Sequence, residues 1–224
     1  PEEHSETAFM TNRAMEFIKE SKDKSWFLHL SYIKPHWPYM APAPYHNMYS
    51  ANEFYPVHRN DAERNSDHPV YKAFMENSIS KTFSKDEVRN TVLSGYMGLI
   101  KQIDDNLGRL FKFLESSGHM DDTMIVFTSD HGDYQGDHWL GEKELFHEQS
   151  VRVPMIIYDP SDYANKTRGS KEERFIEAID LLPTFLDAVE SPVSKHRLEG
   201  DSLIPLLKGE ETKNWKEFVF SEID

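Results

Sequence analysis

The sequence contains no cysteine among its 224 residues, which excludes disulfide bridges and thiolate metal sites within it. Basic residues are also scarce, since 25 Lys and Arg stand against 39 Asp and Glu, for a formal net charge of −14. No basic stripe can compete with that acidic field, so we expect no nucleic-acid partner. Apolar runs reach only about six residues, whereas a membrane-spanning helix needs ~20, so we expect no membrane partner.

The acidic composition also constrains the ligand. A small anionic substrate would require a locally positive site, which a metal ion and a lysine could supply. The length allows one domain with a sizeable core. The lack of cysteine is compatible with the cytoplasm, which we favour, and with the periplasm, and a homo-oligomer is compatible with the sequence.

Helix-like and strand-like segments alternate along the chain. Apolar periodicity predicts a helix capped by Ser5 or Thr7, and a long helix from a capping box at 84–87 to Ser117–Gly118. The segment 41–83 is Pro- and Asn-rich and is expected to be irregular. Short apolar runs predict buried strands at 26–30, 124–127, 155–158 and 174–176, and a short helix begins at Asp180. This order predicts an α/β fold with a mainly parallel sheet sandwiched by helices.

Chemically useful side chains follow two of these predicted strands. Asp130 and His131 come after the strand at 124–127, Lys143 lies twelve residues past His131, and His36 follows the strand at 26–30 between two prolines. Each residue also has an ordinary structural explanation. Asp130 and His131 could cap a turn, Lys143 could belong to a surface charge pair, and His36 could be a packed loop histidine. Neighbouring strand ends of an open α/β sheet face the same crevice, so their joint occurrence favours a site.

The motifs in this region carry a family resemblance. Thr128-Ser129-Asp130-His131-Gly132, Gly136-Asp137-His138, Lys143 and the Lys34-Pro35-His36-x-Pro38 loop resemble the sulfatase branch of the alkaline phosphatase superfamily. Segments elsewhere add to the resemblance, from about Thr7 to Asp224: Phe27–Ser31, Gly95–Ile100, Asp104–Gly108, Val153–Ile156, Asp180–Thr184 and Gly200–Leu203. Within that branch, His131, Gly136-Asp137-His138-x-Leu140 and the Asp67-His68-Pro69 insertion look most like phosphonate monoester hydrolases and their phosphodiesterase relatives.

The resemblance implies a role for each candidate residue. Asp130 and His131 match two ligands of one divalent metal ion, for which Mn, Zn, Ca and Mg all remain open. Lys143 matches the lysine that contacts the nonbridging oxygens of the substrate, and His36 matches the histidine that serves the leaving oxygen. For Asp137 and His138 we favour support of the metal ligands over direct ligation.

One family feature is missing from the sequence. The resemblance implies a nucleophile, either formylglycine made from cysteine or a Ser or Thr, in a nucleophile-x-Pro-x-Arg segment, and no such segment occurs here. We therefore expect residues 1–224 to form a single sulfatase-like catalytic domain that is incomplete at both ends, with its nucleophile upstream. We expect this chain to be inactive alone, because two metal ligands make a weak site.

Several functions stay open at this point. The leading one is metal-dependent hydrolysis of phosphonate monoesters or phosphodiesters. A sulfuric ester hydrolase is the close alternative, a two-metal phosphatase of the same superfamily is a third, and a non-catalytic module with the same fold is a fourth. The relative rates on sulfate and phosphonate esters, the metal stoichiometry and the upstream segment would separate them.

Overall fold

The computed structural model describes residues 1–21, 24–50, 53–191 and 197–222. The chain divides into two compact units, the first made of Pro1–Met120 and His131–Arg152, the second of Asp121–Asp130 and Val153–Asp224. The first unit contains helices α1 (Glu6–Ser21), α2 (Asp61–Arg64), α3 (Pro69–Glu76), α4 (Ser78–Phe83), α5 (Asp86–Ser116) and α6 (Glu148–Val151). The second contains strands β1 (Ile125–Thr128) and β2 (Met155–Tyr158) and helices α7 (Leu181–Ala188) and α8 (Ile204–Leu207). Within these described ranges, no helix is long and apolar enough to cross a bilayer.

The two longest helices, α1 and α5, form where the apolar periodicity predicts them. Ser5 caps α1, because its hydroxyl accepts a hydrogen bond from the backbone N–H of Ala8 at 3.2 Å. The helices pack together, and polar contacts fix their register: Gln102 Nε2 donates to Ser5 Oγ at 2.6 Å and Arg109 donates to Asn12 Oδ1 at 2.6 Å. The buried apolar side chains of this pair supply most of its packing energy. They are Ala8, Ala14, Ile18, Leu99, Leu110 and Leu114.

Two glycines let a loop approach α5 closely. A Cβ added at Gly95 would lie 2.4 Å from the Tyr39 carbonyl oxygen, and one at Gly98 would lie 2.4 Å from that of Tyr45. Neither position can accept a side chain without movement of backbone. The Gly-x-x-Gly spacing of the helix therefore serves to seat residues 39–45, which continue directly from the loop that carries His36.

Two predictions for the middle of the chain are wrong. Residues 41–83 are not irregular throughout, because α2, α3 and α4 form there with side-chain caps from Asn60, His68 and Asn77. Local caps can start short helices in polar sequence where apolar periodicity is weak. The capping box predicted at 84–87 is also absent, since Lys85 is the N-cap of α5 and makes no side-chain cap bond.

The predicted mainly parallel sheet is not what the described residues form. Their sheet has two strands, β1 and β2, which pair antiparallel with Thr128 opposite Met155. A parallel pair requires a crossover that returns the chain to the starting end of the first strand. Here β2 begins opposite the end of β1, so the intervening segment makes no such crossover.

The strands predicted at 26–30 and 174–176 do not form in the described part of the chain. Residues 25–33 belong to no helix or strand, and the Phe27 side chain is 68% exposed. An apolar run indicates only that a segment favours burial, whereas a strand also requires a neighbouring strand for its backbone groups.

A buried polar network organises the second unit. The Asp180 carboxylate, with 0% exposure, accepts hydrogen bonds from Lys216 Nζ at 2.8 and 2.9 Å and from the backbone N–H of Asp201 at 2.9 Å. Thr184 Oγ1 accepts a bond from Leu203 N at 2.8 Å. These contacts explain why the Asp180–Thr184 and Gly200–Leu203 motifs occur together: the first segment supplies acceptors for the backbone of the second.

Candidate functional site

Three of the four predicted site residues meet in the first unit. Lys143 Nζ lies 3.2 Å from His36 Nε2, although 107 positions separate the two residues along the chain. The imidazole rings of His36 and His131 lie 6.4 Å apart at an interplanar angle of 67°. All three side chains are half-buried. The structure therefore brings together a primary amine and two imidazoles at one partly accessible place.

Hydrogen bonding defines the tautomer of His36. Its Nδ1 lies 3.1 Å from the Trp37 carbonyl oxygen, which can only accept, so Nδ1 carries a proton. Its Nε2 faces the Lys143 ammonium group, which can only donate, so Nε2 is the acceptor. His36 is thus a neutral imidazole whose lone pair receives an N–H of Lys143.

The geometry of His131 suits a metal ligand. Its Nδ1 lies 2.7 Å from the carbonyl oxygen of Gly132, so Nδ1 donates and the lone pair of the neutral ring belongs to Nε2. A backbone carbonyl bound to one ring nitrogen is the usual arrangement behind a histidine that ligates a metal through the other. The donor chemistry of His131 therefore fits the divalent ion that the sequence predicts.

Asp130, the other predicted ligand, belongs to the second unit and directly precedes His131 in the chain. It is exposed, and the Ser129 hydroxyl lies 3.3 Å from its Oδ1 atom. Among the residues with described coordinates, no group of three or more His, Cys, Asp or Glu side chains is arranged to hold a metal ion. The assignment of Asp130 and His131 as ligands consequently stays a prediction.

Ser150 joins the two segments that carry His131 and Lys143, and no sequence pattern indicates this role. Ser150 is buried, its carbonyl oxygen accepts the Gly132 N–H at 2.7 Å, and its hydroxyl donates to the Lys143 carbonyl. The approach at Gly132 is close, because an added Cβ would lie 2.0 Å from the Gln149 carbonyl oxygen. These contacts fix the backbone on both sides of the site.

A hydrogen bond between Tyr39 and Asp133 links the His36 loop to the segment that follows His131. Tyr39 Oη donates to Asp133 Oδ2 at 2.8 Å, two residues past His131, and Gln135 N donates to Asp133 Oδ1 at 3.0 Å. Burial raises the pKa of Asp133, although these hydrogen bonds oppose the shift. Burial and the neighbouring Asp133 also raise the pKa of Tyr39, so its phenol stays protonated and donates.

His138 is engaged by protein partners at both ring nitrogens. Its Nδ1 lies 3.0 Å from Glu63 Oε1 and its Nε2 lies 3.1 Å from Gln149 Oε1. Asp137 accepts bonds from His58 N at 3.0 Å and from Gln149 Nε2 at 3.2 Å. The Gln149 carbonyl lies close to Gly132, so Gln149 links this pair to the backbone beside His131, and support of the metal ligands by Asp137 and His138 stays a prediction.

Comparison with known families and proteins gives clear matches. The family model described as Sulfatase matches residues 2–191. The chain is 37% identical to the multifunctional alkaline phosphatase superfamily protein PehA of Trinickia caryophylli, in an alignment that covers 100% of the chain and 45% of that protein. It is 29% identical to an arylsulfatase of Clostridium perfringens, with 96% of the chain and 44% of that protein covered.

Solved structures give the same picture for the fold. The phosphonate monoester hydrolase SpPMH from Silicibacter pomeroyi superposes with a TM-score of 0.87 at 32% identity, over 96% of this chain and 44% of that one. The phosphonate monoester hydrolase of Agrobacterium radiobacter gives the same values. The fold is therefore of the alkaline phosphatase and sulfatase type, and the chain spans less than half the length of these four relatives.

Proposed function

The chain belongs to the sulfatase family, and on that premise we propose that the whole protein containing it is a metal-dependent hydrolase of phosphonate monoesters and phosphodiesters. The similarity to PehA and to two phosphonate monoester hydrolases supports this substrate class over others in the family. The proposal covers the whole protein, because this chain matches only 45% of PehA.

The observation that carries the proposal is the contact of 3.2 Å between Lys143 Nζ and His36 Nε2, with the His131 ring beside it. A surface lysine ordinarily contacts solvent or a carboxylate. Here the amine donates to a neutral imidazole instead and keeps two further N–H groups for other acceptors. In a chain of net charge −14, this arrangement gives a local donor site for an anionic ester.

Each residue then has a defined task. Hydrolysis breaks the phosphorus–oxygen bond to the alcohol, and water supplies hydroxide to phosphorus and a proton to the leaving oxygen. The N–H groups of Lys143 donate to the nonbridging oxygens, where negative charge increases in the transition state. Nε2 of His36 can pass a proton to the leaving oxygen once Lys143 or solvent has supplied it.

The metal and the nucleophile complete the proposal. Asp130 and His131 would hold one divalent ion, which could be Mn, Zn, Ca or Mg. With that ion bound, the ester oxygen is polarised and a hydroxyl nucleophile ionises more readily. We assign the remaining ligands and the nucleophile, a formylglycine or a Ser or Thr, to the part of the whole protein that lies outside this chain.

A sulfatase is the second candidate function. The family model and the Clostridium perfringens arylsulfatase favour it, since that relative matches 96% of the chain. The same donors could bind a sulfate ester, because sulfate and phosphonate esters both present anionic nonbridging oxygens. The relative rates on phosphonate and sulfate esters distinguish the two candidate functions.

A rate comparison tests the proposal. The whole protein, loaded with each divalent metal in turn, would be assayed on a phosphonate monoester, a phosphodiester and a sulfate ester that share one aryl leaving group. We expect the two phosphorus esters to react faster than the sulfate. A faster sulfate reaction would transfer the assignment to the sulfatase, and no reaction with any ester or metal would leave a non-catalytic module.

A further inference from the structure

The loop that carries His36 has an unusual shortage of backbone donors. Residues 34–38 read Lys-Pro-His-Trp-Pro, so two of these five residues have no N–H group. The carbonyl oxygens of such a segment need donors from elsewhere if the loop is to keep one conformation. Two side chains of the loop itself supply donors, and the backbone N–H of Met40 also donates to the Pro38 carbonyl oxygen, at 2.8 Å.

Lys34 provides two of these donors. Its Nζ lies 3.1 Å from the His36 carbonyl oxygen and 3.0 Å from the Pro38 carbonyl oxygen, one on each side of Trp37. The side chain is half-buried, and burial lowers its pKa while Glu6 opposes the shift. An ammonium group with two carbonyl acceptors is a fixed bridge rather than a mobile surface charge.

The carbonyl between the two Lys34 contacts is the one that fixes the His36 ring. Trp37 O accepts from His36 Nδ1 at 3.1 Å, and this bond leaves Nε2 as the acceptor for Lys143. The backbone N–H of His36 is bound to Ile33 O at 3.1 Å, which closes the turn. Rotation of the peptides at 36–38 would move Trp37 O away from Nδ1 and so release the ring.

We propose that Lys34 is a positioning residue for His36: by bridging the carbonyls of residues 36 and 38, it fixes the ring orientation and tautomer that place Nε2 against Lys143. The expected effect on the reaction rate rests on the proposed function, whereas the expected effect on the orientation of the His36 ring does not. Lys34 itself touches no reacting atom in this arrangement. Its effect is therefore expected only through His36.

Kinetics of the whole protein test the proposal in two backgrounds. Lys34→Met is expected to lower kcat on the order of 100-fold, with KM changed little, because a shift of about 1 Å in a reacting group costs that much. The loss should grow as the leaving group becomes more basic, and Lys34→Arg should recover part of the rate. In a His36→Ala background, Lys34→Met should have less than about a twofold effect, since coupled residues are non-additive.

Controls separate positioning from general damage. Lys112→Met removes an exposed lysine of α5 and should retain the parent rate. An equal loss from Lys34→Met with and without His36, or a parent rate in Lys34→Met, would overturn the proposal. If the unaltered protein hydrolyses no ester, the proposed function fails, and a crystal structure of the Lys34→Met variant tests the inference instead. A retained contact between His36 Nε2 and Lys143 Nζ in that variant would overturn the inference. Loss of the contact would support it.

Discussion

Replacement of Gly132 by alanine should damage both the stability and the chemistry of the site. The added Cβ would lie 2.0 Å from the Gln149 carbonyl oxygen and 3.0 Å from its carbon, so the backbone must open by at least about 1 Å. That movement strains the packing by about 1–3 kcal/mol and breaks the bond from Gly132 N to Ser150 O, for about 1 kcal/mol more. The Gly132 carbonyl that orients His131 would shift with it.

The expected outcome is measurable in two assays on the whole protein. Thermal unfolding should shift down by about 2–8 °C, and kcat/KM for the preferred ester should fall on the order of 100-fold. Gly108→Ala is the matched control, because Gly108 lies inside α5 with nothing within 4 Å of its added Cβ. That variant should be stabilised by about 0.5–1 kcal/mol. Equal behaviour of the two variants in both assays would refute the steric reasoning.

Three further predictions concern stability, pH and the isolated chain. Lys216→Met should cost about 3–5 kcal/mol in urea unfolding, because it leaves the Asp180 carboxylate buried without its cation. Burial, together with the neighbouring His138, lowers the pKa of His147 from its usual 6.5, so folding disfavours protonation of this histidine. The free energy of unfolding should therefore fall as the pH drops below 6.5. His147→Gln should remove that loss between about pH 7.5 and pH 5.5. The 224-residue chain alone should hydrolyse none of the esters with any metal added.

Each of these has its own control and contrary result. Arg152→Met breaks an exposed pair with Glu148 and should cost less than about 1 kcal/mol, so a similar cost for Lys216→Met would contradict the burial reasoning. His46→Gln removes an exposed histidine, and an identical pH slope in the His46 and His147 variants would contradict the second prediction. Turnover by the isolated chain would contradict the third.

The sequence predicted those elements whose signal is local. Periodic apolar residues predicted α1 and α5, and short β-branched runs predicted β1 and β2. The prediction that these two strands are buried is wrong for the described chain, since Phe127 is 38% and Ile156 is 62% exposed. The sheet was predicted wrongly because pairing direction and partner are non-local. The segment 26–30 has the composition of a strand, but the described residues form no strand there.

The candidate site also combines residues that the sequence predicts with supporting contacts that it does not. The structure places His36 beside Lys143 and His131, but the described residues do not form the parallel strand ends on which the expectation of a shared site rested. The roles of these residues stay predictions. Their support could not be read from the sequence. Ser150 acts through its carbonyl oxygen and its hydroxyl, and Tyr39 contacts Asp133 across 94 positions. No local sequence pattern predicts either contact.

The most direct test of the account is the effect of Lys143→Ala on kcat/KM for a phosphonate monoester, measured in the whole protein with its divalent metal. Loss of this donor should lower the value by about 100- to 1,000-fold, whereas Lys171→Ala, at an exposed lysine, should leave it unchanged. If both variants retain the parent rate, Lys143 does not serve the anionic ester, and the assignment of the site is contradicted.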